Sequence, residues 1–417
     1  MQLKRVVVTG LGAITPLGND VQTYWENLLK GTSGACPITK FNAEKFRTKF
    51  ACEVKNFSPE LYIDKKEVKR IDLFTQYALA ASTQAVEDSG LDLDALDKDR
   101  TGVIFGSGIG GLKTFQDEVQ AFASGDGTPR FSPFFIPKMI IDLAAGHISI
   151  KYGFRGVNYA TVSACATSNH AIAEAANHIR YGNMKVMVTG GSEAPVVEAA
   201  IGGFNAMRAL SERNDDYATA SRPFDKNRDG FVLGEGAGAL ILEDLDHALA
   251  RGAKIYAEYG GSGMSADAYH MTAPHPEGLG VQNVIKFAFE NAGLGPQDID
   301  YINVHGTSTP LGDVSELSSI EKMFGERAYD INISSTKSMT GHLLGAAGAI
   351  EAIAAIMSTI HNIVPPTINH FEDDPEINPR LNLTFNKPQE REVRAALSNT
   401  FGFGGHNASI IFKKYKA

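Results

Sequence analysis

A chain of 417 residues with 42 glycines has room for two modules or one large α/β unit, and its glycine content argues against a long helical bundle. A net charge of −9 argues against nucleic acid as the main partner. Three cysteines, Cys36, Cys52 and Cys165, are too few for a disulfide framework and point to a reducing, cytoplasmic setting.

From the N-terminus, the apolar run Val6 to Val8 is too short for a signal segment. No stretch reads as apolar enough to cross a bilayer, so no membrane contact is expected. RVVVTG from Arg5, TGVIFGSG from Thr101, KVMVTGG from Lys185, GALILEDL from Gly238, DYINVHGTS from Asp300 and INISSTK from Ile331 read as buried strands. Between them, LFTQYALAASTQAVEDSG from Leu73 and EAIAAIMSTIHN from Glu351 carry apolar residues at helical spacing. Strands alternating with helices predict an α/β fold. GLGAITPLG from Gly10 resembles part of a dinucleotide fingerprint but lacks its spacing, so no nucleotide cofactor is expected.

An internal echo divides the chain. VNYATVSA leads into Cys165 and then ATSNHAIAEAANHIRYG, while INISSTK leads into His342 and then LLGAAGAIEAIAAIM. Cys165 and Glu174 are nine apart, as are His342 and Glu351. This predicts two copies of one α/β module, residues 1–253 and 254–417, whose strand ends converge on one site.

Cys165 follows a strand-like run and precedes a helix ending near Gly182. A helix N-terminus favours thiolate and offers N–H groups to an oxyanion. An inert buried thiol is the competing reading, and it holds for Cys36 and Cys52. His305 ends a strand before the hydroxyl-rich GTSTPLGD, and His342 is expected to open a helix whose dipole keeps it neutral. A neutral imidazole can donate to a developing oxyanion. No HxxxH or CxxC spacing is present, so no metal is expected. Lys337 is either a partner of His342 or a solvated turn residue. Phe403, between Gly402, Gly404 and Gly405, is either a movable gate or part of a tight hairpin.

Taken together, VSACATSNHAIAEA around Cys165, SRPFDKNRDGFVLGEGAGALILE from Ser221, NVHGTSTPLGD around His305, STKSMTGHLLGAAGAIEA around His342 and SNTFGFGGHN from Ser398 resemble the thiolase-fold β-ketoacyl-acyl-carrier-protein synthases over nearly the whole chain. GSGIGGL and DAYHMTAP place the likeness nearest the elongating, type II branch. The resemblance implies a layered α-β-α-β-α fold and decarboxylative condensation of malonyl-carrier with an acyl chain held on Cys165. His305 and His342 would stabilise the enolate, supported by Lys337. The N–H groups of Cys165 and Phe403 would form an oxyanion hole, with Phe403 as gate.

By the same resemblance, Thr307, Thr309 and Thr272 would meet the phosphopantetheine arm. Ile109 and Phe204 would line the acyl tunnel, and Phe135 and Ile136 would close its far end across a homodimer interface. Arg208 would face an acidic acyl carrier protein, and Lys65 and Lys69, which follow helical spacing, are either part of the same docking surface or a solvated basic face. No cofactor is implied, because the pantetheine belongs to the carrier. One departure from the family pattern is Asn169 before His170, where Gly is expected. A type I or specialised-metabolite ketosynthase is the near alternative, and a cysteine thioester hydrolase the distant one.

Overall fold

The computed structural model describes residues 3–416. Its main sheet has ten strands. In chain order they are β1 (Val6–Ile14), β2 (Thr101–Gly106), β3 (Asn158–Tyr159), β4 (Val186–Glu193), β5 (Gly236–Asp244), β6 (Ala257–Ala266), β7 (Tyr301–Asn303), β8 (Asn332–Ser334), β9 (Ala395–Gly402) and β10 (His406–Lys413). The spatial order is β8-β7-β9-β10-β6-β1-β5-β4-β2-β3. Read outward from the central β1–β6 pair, each half runs first, fifth, fourth, second, third strand. Among the described residues the strands of the two halves pair at just two positions, Val7 opposite Glu258 and Val8 opposite Ala257, so they behave as two five-stranded sheets.

Helices fill three layers around these sheets. α1 (Leu73–Ser89) and α2 (Leu143–Tyr152) cover one outer face, and α4 (Leu279–Ala292) and α5 (Pro310–Phe324) the other. α3 (Thr167–Arg180) and α6 (Ala347–His361) pack between the sheets and touch strands of both. This is the α-β-α-β-α architecture expected from the resemblance. The outer layers seat on glycine. A Cβ at Gly12 of β1 would lie 2.0 Å from the Ala81 carbonyl oxygen of α1. One at Gly263 of β6, the equivalent first strand, would lie 2.0 Å from that of Val284 in α4.

Three expectations change. The segment Leu344–His361 is long and apolar enough to cross a membrane, contrary to the sequence reading, but it is almost entirely buried. Ala347 to Thr359 have no exposed face because both sheets cover them, and a helix buried all round is apolar all round. VNYATVSA is a strand only at Asn158–Tyr159. β6 was invisible to pattern reading because Gly260, Gly261 and Gly263 interrupt its apolar residues.

The third change concerns the echo. Each central helix is entered through a single 3₁₀ turn, Ala164–Ala166 before α3 and Leu344–Ala346 before α6. Each turn opens on a non-glycine residue with positive φ, Ala164 at +49° and Leu344 at +47°. The structural counterpart of Cys165 is therefore Gly345. His342 lies before that turn, bridged to Leu233, and does not open the helix.

Candidate active site

Cys165 sits in the strained turn between β3 and α3. A left-handed Ala costs about 1 kcal/mol or more and persists only where its surroundings impose it. Here Ser163 N–H donates to Thr167 Oγ1 at 2.9 Å, and the β9–β10 hairpin presses on the turn from above. A Cβ at Gly402 would fall 2.6 Å from the Ser163 carbonyl oxygen and 3.1 Å from the Cys165 nitrogen. That hairpin brings the backbone N–H of Phe403 to the Cys165 sulfur, alongside the N–H of Cys165 itself.

The thiol is 7% exposed, and burial pushes its pKa up to about 12. The Lys337 cation and the two N–H groups pull the other way but do not win. Burial therefore opposes the preference for thiolate that the helix end gives, because it disfavours the charged form. Burial thus favours the thiol form. His342 Nε2 lies 3.0 Å from Sγ.

His305, two residues beyond β7, faces His342 edge to face, with ring centroids 5.3 Å apart. Both imidazoles are held well below the ordinary histidine pKa, by burial first and by the Lys337 charge second. His342 is therefore neutral as expected, but for a different reason than the dipole. Lys337 is 1% exposed and paired with the buried Glu351, so it is no solvated turn residue. Glu351, one turn into α6, has its carboxyl raised to about 7 by burial, which Lys337 opposes. Behind His305, Glu316 of α5 accepts the N–H groups of His305 at 2.9 Å and Gly306 at 2.8 Å. Pattern reading missed Glu316; its only signal was an acid in the middle of an apolar helix face.

A cavity of about 710 Å³ opens onto Cys165, His305 and His342. Ile109, Phe204, Thr272, Thr307, Thr309, Arg208 and Phe403 all line it. Thr307 and Thr309 hydroxyls are 3.1 Å apart. Phe403 stands in the hairpin turn, where Gly404 and Gly405 take φ of +91° and +75°. The hairpin and the cavity-lining Phe are thus one feature, not alternatives.

Other candidates lie elsewhere. Phe135 and Ile136 do not line this cavity; Ile136 is 52% exposed. Lys65 reaches toward Glu60, 3.8 Å away. Lys69 lines a separate depression of about 540 Å³ with Lys113, Asp117 and Glu198. Arg208 lines the main cavity instead. Asn169, the family departure, is fully buried, and its Nδ2 donates to the Ser398 carbonyl at 3.3 Å.

Sequence spacing offered no metal motif, yet Cys165, His305 and His342 place one donor atom each within 4.8 Å of one another. Neither Nδ1 has a hydrogen-bond partner among the described residues, whereas a metal-bound His normally anchors its second nitrogen. The trio fits proton transfer and oxyanion binding better than it fits a resident ion.

Comparison with known proteins agrees with this geometry. Residues 3–248 match the N-terminal domain of β-ketoacyl synthases and residues 256–371 their C-terminal domain. The chain is 51% identical over 416 residues, with both chains fully covered, to a 3-oxoacyl-[acyl-carrier-protein] synthase 2 of Staphylococcus aureus. Among solved structures, the ishigamide ketosynthase/chain length factor is similar, with a TM-score of 0.93 and 35% identity over 99% of this chain and 100% of that one. So is a type II polyketide synthase acyl-carrier protein in complex with its ketosynthase bound to the hexaketide, with a TM-score of 0.90 and 33% identity over the whole of both chains.

Proposed function

The chain belongs to the β-ketoacyl synthase family, and from that premise we propose that it is an acyltransferase joining malonyl-acyl-carrier-protein to an acyl chain on Cys165, giving 3-oxoacyl-acyl-carrier-protein in fatty acid elongation. The observation that carries this is the Cys165–His342–His305 constellation at the floor of a long cavity. The cysteine alone would serve many acyl transfers. Two neutral imidazoles beside it serve the loss of CO₂.

In the first half-reaction, Cys165 Sγ attacks the acyl thioester carbonyl. Its proton ends on the departing pantetheine thiol, so one S–H bond is exchanged for another. The N–H groups of Cys165 and Phe403 donate to the transient oxyanion. In the second, the malonyl thioester oxygen lies against His305 and His342. The carboxylate leaves as CO₂, and its bonding pair becomes an enolate whose charge sits on that oxygen. Neutral donors are needed there, because interactions that strengthen in the transition state lower the barrier. The enolate carbon then attacks the acyl carbonyl, and Cys165 leaves and regains a proton.

The chain itself need hold no metal or organic group for this sequence. The partner is an acyl carrier protein, whose arm would pass Thr272, Thr307 and Thr309; Arg208 at the cavity supplies positive charge toward it. Identity of 51% to a 3-oxoacyl-[acyl-carrier-protein] synthase 2, against 35% to the ishigamide ketosynthase/chain length factor and 33% to the type II polyketide ketosynthase, favours elongation over specialised metabolism. Three free cysteines support a cytoplasmic location. A homodimer is supported by an uncovered aromatic face. Phe115, Phe122, Phe131 and Phe134 are each 37–45% exposed, and Phe131 stacks on Phe135 at 5.6 Å.

Mass analysis of products from acyl-carrier plus malonyl-carrier tests the assignment. The expected product is 3-oxoacyl-carrier two carbons longer, with CO₂ released. Free fatty acid without extension would replace this reading with a thioester hydrolase.

A further inference from the structure

Glu193, the last residue of β4, is fully buried yet accepts five hydrogen bonds from two distant segments. One oxygen accepts Ser107 Oγ at 2.7 Å and the N–H groups of Ile109 and Gly110 at 3.0 and 3.2 Å. The other accepts the N–H groups of Gly108 at 2.7 Å and Gly345 at 3.0 Å. The first segment carries Ile109. The second is the turn that follows His342 and carries Leu344. Ile109 and Leu344 both line the cavity and cluster with Cys165.

The two segments meet with no room for side chains. A Cβ at Gly345 would lie 2.3 Å from the Gly108 nitrogen, and one at Gly108 would lie 2.8 Å from the Glu193 carboxylate. The Gly345 carbonyl is held as well, by Ser168 Oγ of α3. Gly345 is the counterpart of Cys165 in the other half. Its N–H, equivalent to the one that meets the substrate oxyanion at Cys165, is therefore already occupied by a protein carboxylate.

We infer that Glu193 is a specificity-determining positioning residue, whose carboxylate sets the separation of Ile109 and Leu344 and so fixes the acyl passage beside Cys165. This deepens the proposed condensing reaction and rests on it. Only an ionised carboxylate satisfies the arrangement. Both oxygens face N–H or O–H donors, so an amide in its place would turn its own NH₂ against two or three of them. A buried donor left unpaired costs enough to move a loop, and this loop is glycine-rich on both sides of Ile109. Acyl chains short enough to stop before Ile109 do not touch the wall that Glu193 holds. Longer ones do.

The test compares kcat/KM for long and short acyl-carrier primers in wild type, Glu193→Gln, Ile109→Ala and the double variant. In Glu193→Gln the long-to-short ratio should fall at least about tenfold. In the Ile109→Ala background the same substitution should change the ratio by no more than about twofold, since coupled residues are not additive. Glu193→Asp, which keeps the charge, should restore part of the ratio. An unchanged ratio in folded Glu193→Gln, or an equal fall with and without Ile109, overturns the inference. If Glu193→Gln does not fold, Ser107→Ala removes one donor and leaves the carboxylate; it should shift the ratio in the same direction, and no shift is decisive against the role. Failure of the wild type to extend any primer would instead sink the condensing reaction itself.

Discussion

Cys165 and His342 touch, yet their tasks separate in time. In the proposed reaction the sulfur forms the acyl bond, and the imidazoles act on malonyl. Cys165→Ala should therefore abolish acyl transfer while malonyl decarboxylation continues, and His342→Ala should leave acylation measurable but stop decarboxylation. Trapped acyl-enzyme and released CO₂, assayed separately, check this; loss of acylation alone in His342→Ala would reverse the roles. Ile109 gives a second prediction. Enlarging it to Phe fills space in the cavity beyond Cys165, and overpacking costs about 1–3 kcal/mol. Long primers should lose at least about tenfold in kcat/KM, the factor set by about 1.4 kcal/mol, while the shortest keep most of theirs. A uniform loss would remove Ile109 from the passage. The three residues that meet at the cavity were legible, because Cys165, His305 and His342 each sit in a distinctive local string. Glu193 and Glu316 were not, since a buried acid in an apolar run has no local marker until its donors arrive from elsewhere in the chain.

The elements most easily read were those whose burial is periodic or complete. α1 and α6 are unbroken helical runs, and β1, β2, β4 and β5 are short apolar strands. β6 was missed because its glycines serve neighbours rather than its own conformation. The same logic makes glycine a sensitive probe of layer packing. A Cβ at Gly238 of β5 would lie 2.8 Å from the Ala349 backbone of α6 and 2.9 Å from the Ile350 nitrogen. Helix backbone cannot swing aside as a side chain can, so Gly238→Ala should destabilise the protein by about 1–3 kcal/mol. Urea unfolding monitored by circular dichroism measures it; a midpoint equal to that of the wild type would show that the layers can part.

For the molecule as a whole, the site imposes a pH dependence on folding. His305 and His342 are held neutral, with folded pKa values well below the ordinary 6.5. His170 behaves alike, lowered to about 4 mainly by burial. As pH falls below about 6.5 the unfolded chain binds protons that the folded chain refuses, so stability is lost toward acid and is complete above that pH. Each such group contributes a slope approaching about 1.4 kcal/mol per pH unit. The stability of His342→Asn should fall less steeply between pH 6.5 and 4.5 than that of wild type, and parallel curves would contradict the burial argument. Assembly gives the last prediction. The aromatic face around Phe131 and Phe134 is larger than single exposed residues account for, so light scattering should report a dimer. Phe131→Asp with Phe134→Asp should shift it to monomer; a monomeric wild type would remove the shared-tunnel idea for Phe135 and Ile136.

By itself the sequence determined the α/β class and the duplicated halves and singled out Cys165, His305 and His342, because local strings dictate strand, turn and helix and mark where a reactive side chain leaves them. Tertiary structure alone decided the protonation of that site. A helix end next to Cys165 favours a thiolate, but the turn is buried between two sheets, and burial pushes the thiol the other way. It also decided which positions correspond. Two strained turns, at Ala164 and Leu344, pair Cys165 with Gly345 rather than with His342, a match that nine-residue spacings could not reveal because it depends on backbone angles. Finally, it decided what Lys337 and Glu193 do. Charge on a linear chain carries no sign of its partner, and only packing α6 and β4 beside the catalytic turns brings Glu351 to the lysine and five donors to the carboxylate.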